Sequence, residues 1–498
     1  MLHLDQAFHQ LSSLEQRQFI QFLQKKNKRK DVKNISYFKH VVDAKLTEKE
    51  IKELLYPEGN FGAYHAMRKR IIDDLALYLS DQTKYYEKSD EVEVSKLILA
   101  AHHQLQKEHI ELGLFLLKKA EKWALELENY VQLHQIHHIH LQYVHKDKNI
   151  VVEDLIERSK KNQMKMIREE KFARAYAMAK TRIQNLYTNQ NVQRINDILD
   201  QVFRFCQIDK QSDMSYKSVY QLSSILSSYA EINRDYYGVK DVLIDLYDRA
   251  VYNEKSGQRM YKLRVLYLIS NLYFRLKQFN KSVEYLLKLE KEILFISGVK
   301  PLFKNKILCL KALNLHFDGQ KNAGIKLIES VLLKSKSWKV EELNLALSGI
   351  MMHIQNKNLL KAEVWMERFK HSTKWYVSKM GVDWVIQKHF MEIILNIELE
   401  EYEQVKRRLS SFEKNYEHYL KDTGQERVLV FLGLIKSIYQ QPNLASEAAF
   451  LQKVENSFDW KLPEEEDILV MSCFAWLKSK MLNQDLYQTT LELINTKE

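Results

Sequence analysis

Along nearly the whole chain, apolar residues recur at i, i+3, i+4 and i+7, with Lys, Glu, Gln and Asn between them. That spacing predicts amphipathic helices; the strict alternation of a half-buried strand is hard to find anywhere. The pattern breaks at short polar knots: Asn189-Gln190-Asn191, Lys277-Gln278, Phe317 to Gln320, Asn356-Lys357-Asn358 and Glu398 to Tyr402. Breaks so short suit antiparallel helix pairs, and the predicted fold class is all-α.

One unit, Leu263 to Leu294, is the clearest. Leu266, Ile269, Ser270 and Tyr273 share a face, Phe279 follows the turn, and Ser282, Leu286 and Leu289 continue the pattern. Small residues belong where two helices cross closely, and large ones fill the seam between pairs. The same spacing recurs in Leu97, Ala100, Ala101, Ile110, Gly113, Leu117 and Ala120, and in Leu308, Ala312, Leu315, Gly324, Ile328 and Val331. It recurs again in Ala346, Leu359, Ala362, Met366 and Phe369, then in Tyr402, Val405, Leu409 and Phe412. These residues resemble the tetratricopeptide (TPR) repeat over most of residues 90–498. The units from 263 on recur at a longer interval than the roughly 34 residues of the standard repeat. The usual glycine before the turn is mostly missing. A helix-pair solenoid of the HEAT kind fits the same periodicity.

Residues 1–82 read as a small helical module. Leu11, Leu14, Phe19, Ile20, Phe22 and Leu23 make one amphipathic helix, with Ser12-Ser13 as its cap. A helix around Phe38 to Val42 and a third, capped by Thr47 and carrying Ile51, Leu54 and Leu55, follow it. After the turn at Tyr56 to Gly62, a fourth helix packs Met67, Ile71, Ile72, Leu75 and Leu79. The module resembles those preceding TPR-like arrays in Bacteroidetes proteins, and also the small helix-turn-helix domain that precedes such arrays in some bacterial transcriptional activators. Residues 80–93 are polar and read as the junction.

Composition narrows the picture. Of 498 residues, 12 are Gly and 4 are Pro, far below a typical combined share of about 12%. Tight turns and phosphate loops want residues that tolerate positive φ, so sandwiches, barrels and doubly wound sheets are unlikely choices for this chain. The three cysteines, Cys206, Cys309 and Cys473, stand far apart and suggest a reducing compartment. No secretory signal opens the chain. The most apolar window, Ile468 to Leu477, falls short of the roughly 20 residues a membrane span needs. A cytoplasmic protein with no membrane span is expected. The net charge of +11 favours acidic partners without establishing nucleic-acid binding.

Three constellations carry candidate chemistry. His134, His137, His138 and His140, with His145 beyond, place two imidazoles at i and i+4, a spacing that can chelate zinc. Residues 129–146 hold no Asp or Glu to support a metal, so the stretch reads as a polar helix face and no metal is assigned. The stretch from Arg17 to Lys45 holds nine Lys or Arg against Asp31 and Asp43. Within it Lys25, Lys26, Lys28, Arg29 and Lys30, beside Tyr37 and Phe38, are candidate nucleic-acid contacts, joined by Arg68, Lys69 and Arg70 after the turn. The third constellation comes from the TPR resemblance, which turns positions of the first helix toward a bound peptide. It implies Arg264, Tyr267, Asn271, Phe274 and Arg275 on the clearest unit, with His102 and Gln106 on the front one. Such a set can hydrogen-bond an extended backbone, pair with a carboxylate and stack on side chains.

Catalytic signatures are missing: no GxSxG, glycine-rich phosphate loop, HExxH or DxDxDG occurs. Glu400-Glu401 and Glu464-Glu465-Glu466 read as solvated charge. Met351, Met352, Trp365 and Trp476 read as packing. The expected function is a non-enzymatic scaffold, without cofactor, that binds a protein or peptide in the groove of a helical-repeat array. The alternative is a nucleic-acid-binding regulator whose basic front module precedes a TPR-like sensor.

Overall fold

The computed structural model describes residues 11, 13–26, 33–43, 48–86, 90–147, 150–189, 195–209, 214–233, 235–251, 259–295, 299–333, 337–422, 425–457 and 466–495. Among these, every regular element is helical and none is a strand. The chain divides into two compact units, residues 1–156 and 157–498.

The first unit contains α1 (Ser13–Lys26), α2 (Lys33–Asp43), α3 (Glu48–Leu55), α4 (Phe61–Tyr86), α5 (Asp90–Gln106), α6 (Ile110–Glu126) and α7 (Tyr130–Tyr143). Helices α1 to α4 enclose an aromatic core of Phe19, Tyr37, Phe38, Tyr64 and Tyr78 with Leu23, Met67 and Ile71. A second core, around Ile98, Leu117 and Ile136, joins α5, α6 and α7. Gln16 Nε2 donates to the Leu11 carbonyl at the start of α1; the expected caps Ser12 and Thr47 lie outside the described residues. Residues 80–86, expected in a polar junction, extend α4 by two further turns. Leu54 and Leu79, expected in the core, are exposed.

The second unit holds most of α8 (Val152–Asn189), then α9 (Ile195–Phe205), α10 (Tyr216–Asn233), α11 (Tyr236–Val251), α12 (Arg259–Arg275), α13 (Phe279–Ile293), α14 (Lys300–Phe317), α15 (Lys321–Leu332), α16 (Leu343–Gln355), α17 (Leu359–Met366), α18 (Thr373–Met380), α19 (Val382–Glu398), α20 (Tyr402–Asp422), α21 (Glu426–Gln440), α22 (Ala448–Asn456), α23 (Ile468–Leu482) and α24 (Leu486–Asn495). Consecutive helices pack as pairs (α12 with α13, α14 with α15, α16 with α17, α19 with α20). The first helix of each pair also meets the first helix of the next. Most of the spaced residues quoted above from 263 on form one buried core, Leu266, Ile269, Ala312, Ile328, Ala346, Ala362, Val405 and Phe412 among them, while Ala101, Leu117 and Ala120 belong to the core of α5, α6 and α7 in the first unit. Tyr402 and Ala100, expected in the same pattern, are exposed.

Close crossings explain the small residues. Ser270 Oγ donates to the Ser282 carbonyl at 2.7 Å, and Asn314 Nδ2 donates to Ser282 Oγ at 3.0 Å, so α12, α13 and α14 are knit through buried polar contacts. At the next pair, a Cβ on Gly324 would stand 2.7 Å from the Ala312 carbonyl oxygen.

The turns between helices use left-handed backbone without glycine. Seven non-glycine residues with positive φ (Glu108, Glu128, Gln207, Lys277, Lys357, Glu400 and Asn483) stand one or two positions past a helix end. Each turn closes the helix by returning an amide to a carbonyl five residues earlier, as Gln278 does to Tyr273 and Asn358 to His353. Scarce glycine therefore does not mean few left-handed turns: polar and charged residues, most of them exposed, take the position and bear its cost.

Candidate partner-binding face

Helix α12 supplies the scaffold for the groove set. At 3.6 residues per turn, Arg264, Tyr267, Asn271 and Arg275 fall on one stripe of it. Leu263, Leu266, Ile269 and Ser270 face the core and are buried. The stripe has two different ends.

At its open end Arg264 is exposed and Tyr267 and Asn271 are half-buried. The Arg264 guanidinium lies 5.2 Å from the Tyr220 ring centroid and 5.9 Å from that of Tyr261, while Lys306 of α14 lies 5.5 Å from Tyr267. Burial lowers the Lys306 ammonium below the ordinary lysine range, and the neighbouring charge of Arg264 lowers it further. Burial also raises the Tyr267 phenol, with Cys309, Glu231 and Tyr236 adding to the shift. The result is two cations on neighbouring first helices, each beside tyrosine rings.

At the other end the set is closed. Phe274 is 1% exposed and packs on Phe279 and Phe317, and Arg275 is 7% exposed. Arg275 Nε donates to Asp467 Oδ2 at 2.6 Å over the Tyr236 ring, whose centroid is 4.5 Å away. Burial by itself would lower the Arg275 pKa, but Asp467, Tyr236 and Glu231 outweigh it and the value rises. Both residues, expected to face a partner, are thus taken up within the unit. Glu466, expected as solvated charge, is buried: its carboxylate lies 3.1 Å from Arg427 Nη2 and its carbonyl accepts from Lys277 Nζ at 2.8 Å. Glu464 and Glu465 lie outside the described residues.

The segment carrying Asp467 leads into α23 and α24, which follow the same row of helix ends. Tyr487 Oη donates to the His316 carbonyl at 2.7 Å, and Trp476 Nε1 donates to Glu398 Oε1 at 2.8 Å. Trp476, Trp365, Met351 and Met352 are core, as the helical spacing indicates. His316 is buried beside Gln355 at 2.7 Å; burial drives its pKa down to about 4 against the upward pull of that hydrogen bond. Sequence reasoning missed this polar seam because its partners come from different helix pairs, up to 192 residues apart.

The remaining candidates belong to the first unit. On α5, His102 is half-buried and Gln106 is exposed. In the histidine run, His137 and His140 are core residues, contrary to a wholly polar face. His137 Nε2 lies 3.1 Å from Glu121 Oε1, and His140 Nε2 lies 3.1 Å from Asp147 Oδ2, which also pairs with Lys118. The carboxylates that the run itself lacks come from α6 and from just past α7. His134 is half-buried and His138 and His145 are exposed. Among the described residues no three metal-binding side chains converge.

Of the basic candidates, Lys25, Lys69 and Arg70 are exposed, Lys26 is paired with Asp74, and Arg68 lies 5.8 Å from the Tyr64 ring. Lys28, Arg29 and Lys30 lie outside the described residues. Tyr37 and Phe38, expected as stacking rings, are fully buried. Instead Phe61, 51% exposed, lies under Lys52 at 3.4 Å, and Tyr56 lies under Lys33 at 4.0 Å.

Among the described residues no helix is long and apolar enough to cross a membrane. In comparisons with known proteins, no family model and no curated sequence matches the chain.

Proposed function

We propose that this chain is a cytoplasmic, non-enzymatic scaffold whose second unit is a TPR-like α-solenoid holding a partner peptide along the first helices of its pairs. The observation that carries this reading is the open end of the α12 stripe. Arg264, Tyr267 and Asn271 stand on one face with Tyr220, Tyr261 and Lys306 beside them. Neighbouring helix pairs that cannot bury their apolar faces alone stack into such arrays, and the interaction surface comes with the stacking. A guanidinium, a phenol and an amide in sequence along one stripe are equipped for an extended backbone.

The test is selection of a random peptide library on the full chain, repeated with Arg264→Gln/Asn271→Ala. Enriched peptides that lose binding on the variant, with helicity unchanged, support the reading. A library that yields no enriched peptide, or peptides that bind the variant equally, refutes it.

A second reading, contact with nucleic acid through the first unit, draws on exposed Phe61 and half-buried Tyr56 beneath lysines and on exposed Lys25, Lys69 and Arg70. It requires salt-sensitive binding of single- or double-stranded DNA or RNA that falls on Phe61→Ala/Lys52→Gln; no binding at low salt ends it.

A further inference from the structure

We infer that one edge of the second unit docks on an anionic lipid surface, through the turns that join one helix pair to the next. This goes beyond the groove reading and does not depend on it. Consecutive helices pack as pairs, and first helices meet first helices, so the turns inside pairs fall on one edge of the row and the turns between pairs on the other. The edge of inside turns is covered by the chain itself. Lys277 Nζ donates to the Glu466 carbonyl at 2.8 Å, Tyr487 Oη donates to the His316 carbonyl at 2.7 Å, and Lys357 stands 3.8 Å from Asp485. The opposite edge carries large apolar side chains in water. Leu294, Phe295 and Leu302 flank the turn from α13 to α14 and are 77%, 71% and 64% exposed; Leu333 and Val340 flank the next such turn and are exposed too.

Charge separates this edge from an ordinary apolar patch. Lys291, Lys300 and Lys304 stand at the first of these turns and Lys339 at the second. All four are exposed, and among the described residues none pairs with a carboxylate. Lys288, one turn earlier on α13, is by contrast paired with Glu284 at 2.7 Å. Residues 293–317 and 330–340 contain no Asp or Glu, so the positive field there has no local counter-charge.

Apolar side chains set among lysines suit the interfacial zone of a bilayer. The ring and aliphatic groups enter the acyl boundary, and each ammonium reaches an anionic headgroup on its flexible stem. A nucleic acid would find mostly aliphatic side chains there, which cannot stack on bases. A partner helix would need anchors along one continuous face, and these residues come from helix ends on either side of a turn. Among the described residues no helix is long and apolar enough to span, so the contact is with the surface.

The probe is a vesicle, tested with the full chain by co-sedimentation: phosphatidylcholine alone, or with about 30% phosphatidylserine. The chain binds the anionic vesicles and not the neutral ones, and binding weakens as salt rises. Lys300→Gln/Lys304→Gln weakens it by about tenfold or more, since each lysine near such a surface contributes roughly fivefold. Phe295→Ser/Leu302→Ser also weakens it by about tenfold, through the loss of inserted apolar area. The control Lys406→Gln/Lys414→Gln removes the same charge from exposed positions on α20 and leaves affinity within about twofold. Phe295→Trp supplies a readout that a folding defect does not imitate: brominated acyl chains quench its fluorescence beyond any quenching of the parent. All the altered residues are exposed, so circular dichroism of each variant matches the parent.

No binding to anionic vesicles at low salt overturns the inference, as does equal binding to neutral ones. Equal loss in the α20 control reassigns the binding to overall charge and overturns the edge. Unchanged binding by Phe295→Ser/Leu302→Ser, an unquenched Phe295→Trp, or displacement by inorganic phosphate at matched anion concentration reduces the contact to a general anion effect and overturns it as well. The peptide selection described above is indifferent to these outcomes, so each reading stands or falls by its own experiment.

Discussion

Replacing Arg275 by Met tests how the second unit holds its polar seam. The Arg275 side chain is 9% exposed and that of Asp467 is 0% exposed, so neither charge has appreciable access to water. Truncation of the guanidinium takes from the buried Asp467 carboxylate the cation that offsets its lost hydration. Removing one partner of a buried ion pair costs about 3–5 kcal/mol, and the contact with the Tyr236 ring adds about 1 kcal/mol. Removing both charges is far milder. Arg275→Met/Asp467→Leu should lie within about 2 kcal/mol of the parent, since apolar replacements of a buried pair are often near neutral. The coupling between the two sites is then at least about 2 kcal/mol. Urea denaturation followed by tryptophan fluorescence reads the cost, and hydrogen exchange across α23 shows whether it is local. A single variant less than about 1 kcal/mol below the parent, or a double variant no better than the single, would refute the buried-pair argument.

Three further outcomes follow from particular positions. Acidification from about pH 6.5 to about pH 4 should destabilise the second unit, because His316 is held neutral with a folded pKa of about 4 and the unfolded chain takes up the proton first. His316→Gln should flatten that slope in a pH series of urea melts, leaving the share of His353, whose pKa burial also lowers; an unchanged slope contradicts this. Gly324→Ala should destabilise by about 1–3 kcal/mol, since its Cβ meets the Ala312 carbonyl at 2.7 Å, while Gly433→Ala, with nothing within 4 Å, should stabilise by about 1 kcal/mol. Thermal melts showing both changes with one sign would exclude the close-crossing explanation. Glu400→Gly at a left-handed position should stabilise by about 0.5–1 kcal/mol, as the helix-ending turn no longer strains a side chain; a lower melting temperature would speak against it.

Much of the fold is legible in the sequence because helices are local. Apolar spacing alone places Leu266, Ile269 and Ser270 inward, locates the turns at Lys277 and Asn356, and marks Ser282 and Gly324 as crossing points. It also sets Arg264, Tyr267, Asn271 and Arg275 on one stripe, which is a matter of helical geometry and nothing else. The fate of those four residues is another matter. Arg275 is withdrawn from solvent by Asp467, a partner 192 residues further on, and no periodic signal links positions so far apart. Glu121 and Asp147 stand only 16 and 7 residues from His137 and His140, yet they lie on another helix and past a turn, where helical spacing says nothing of contact; Glu466, too, is buried by packing and not by its own neighbours.

Scarce glycine pointed away from strands, and among the described residues every regular element is helical, but it says nothing about the number of left-handed turns. A charged residue with its side chain in water can take a left-handed turn at a cost of about 1 kcal/mol, a sum that burial elsewhere in the helix pair readily offsets. The sequence by itself determined that the chain is helical, where most helices end and which faces are apolar, since short-range periodicity governs each of these. Only the tertiary structure decided which polar residues stay accessible, because a buried charge survives where a distant segment brings it a partner.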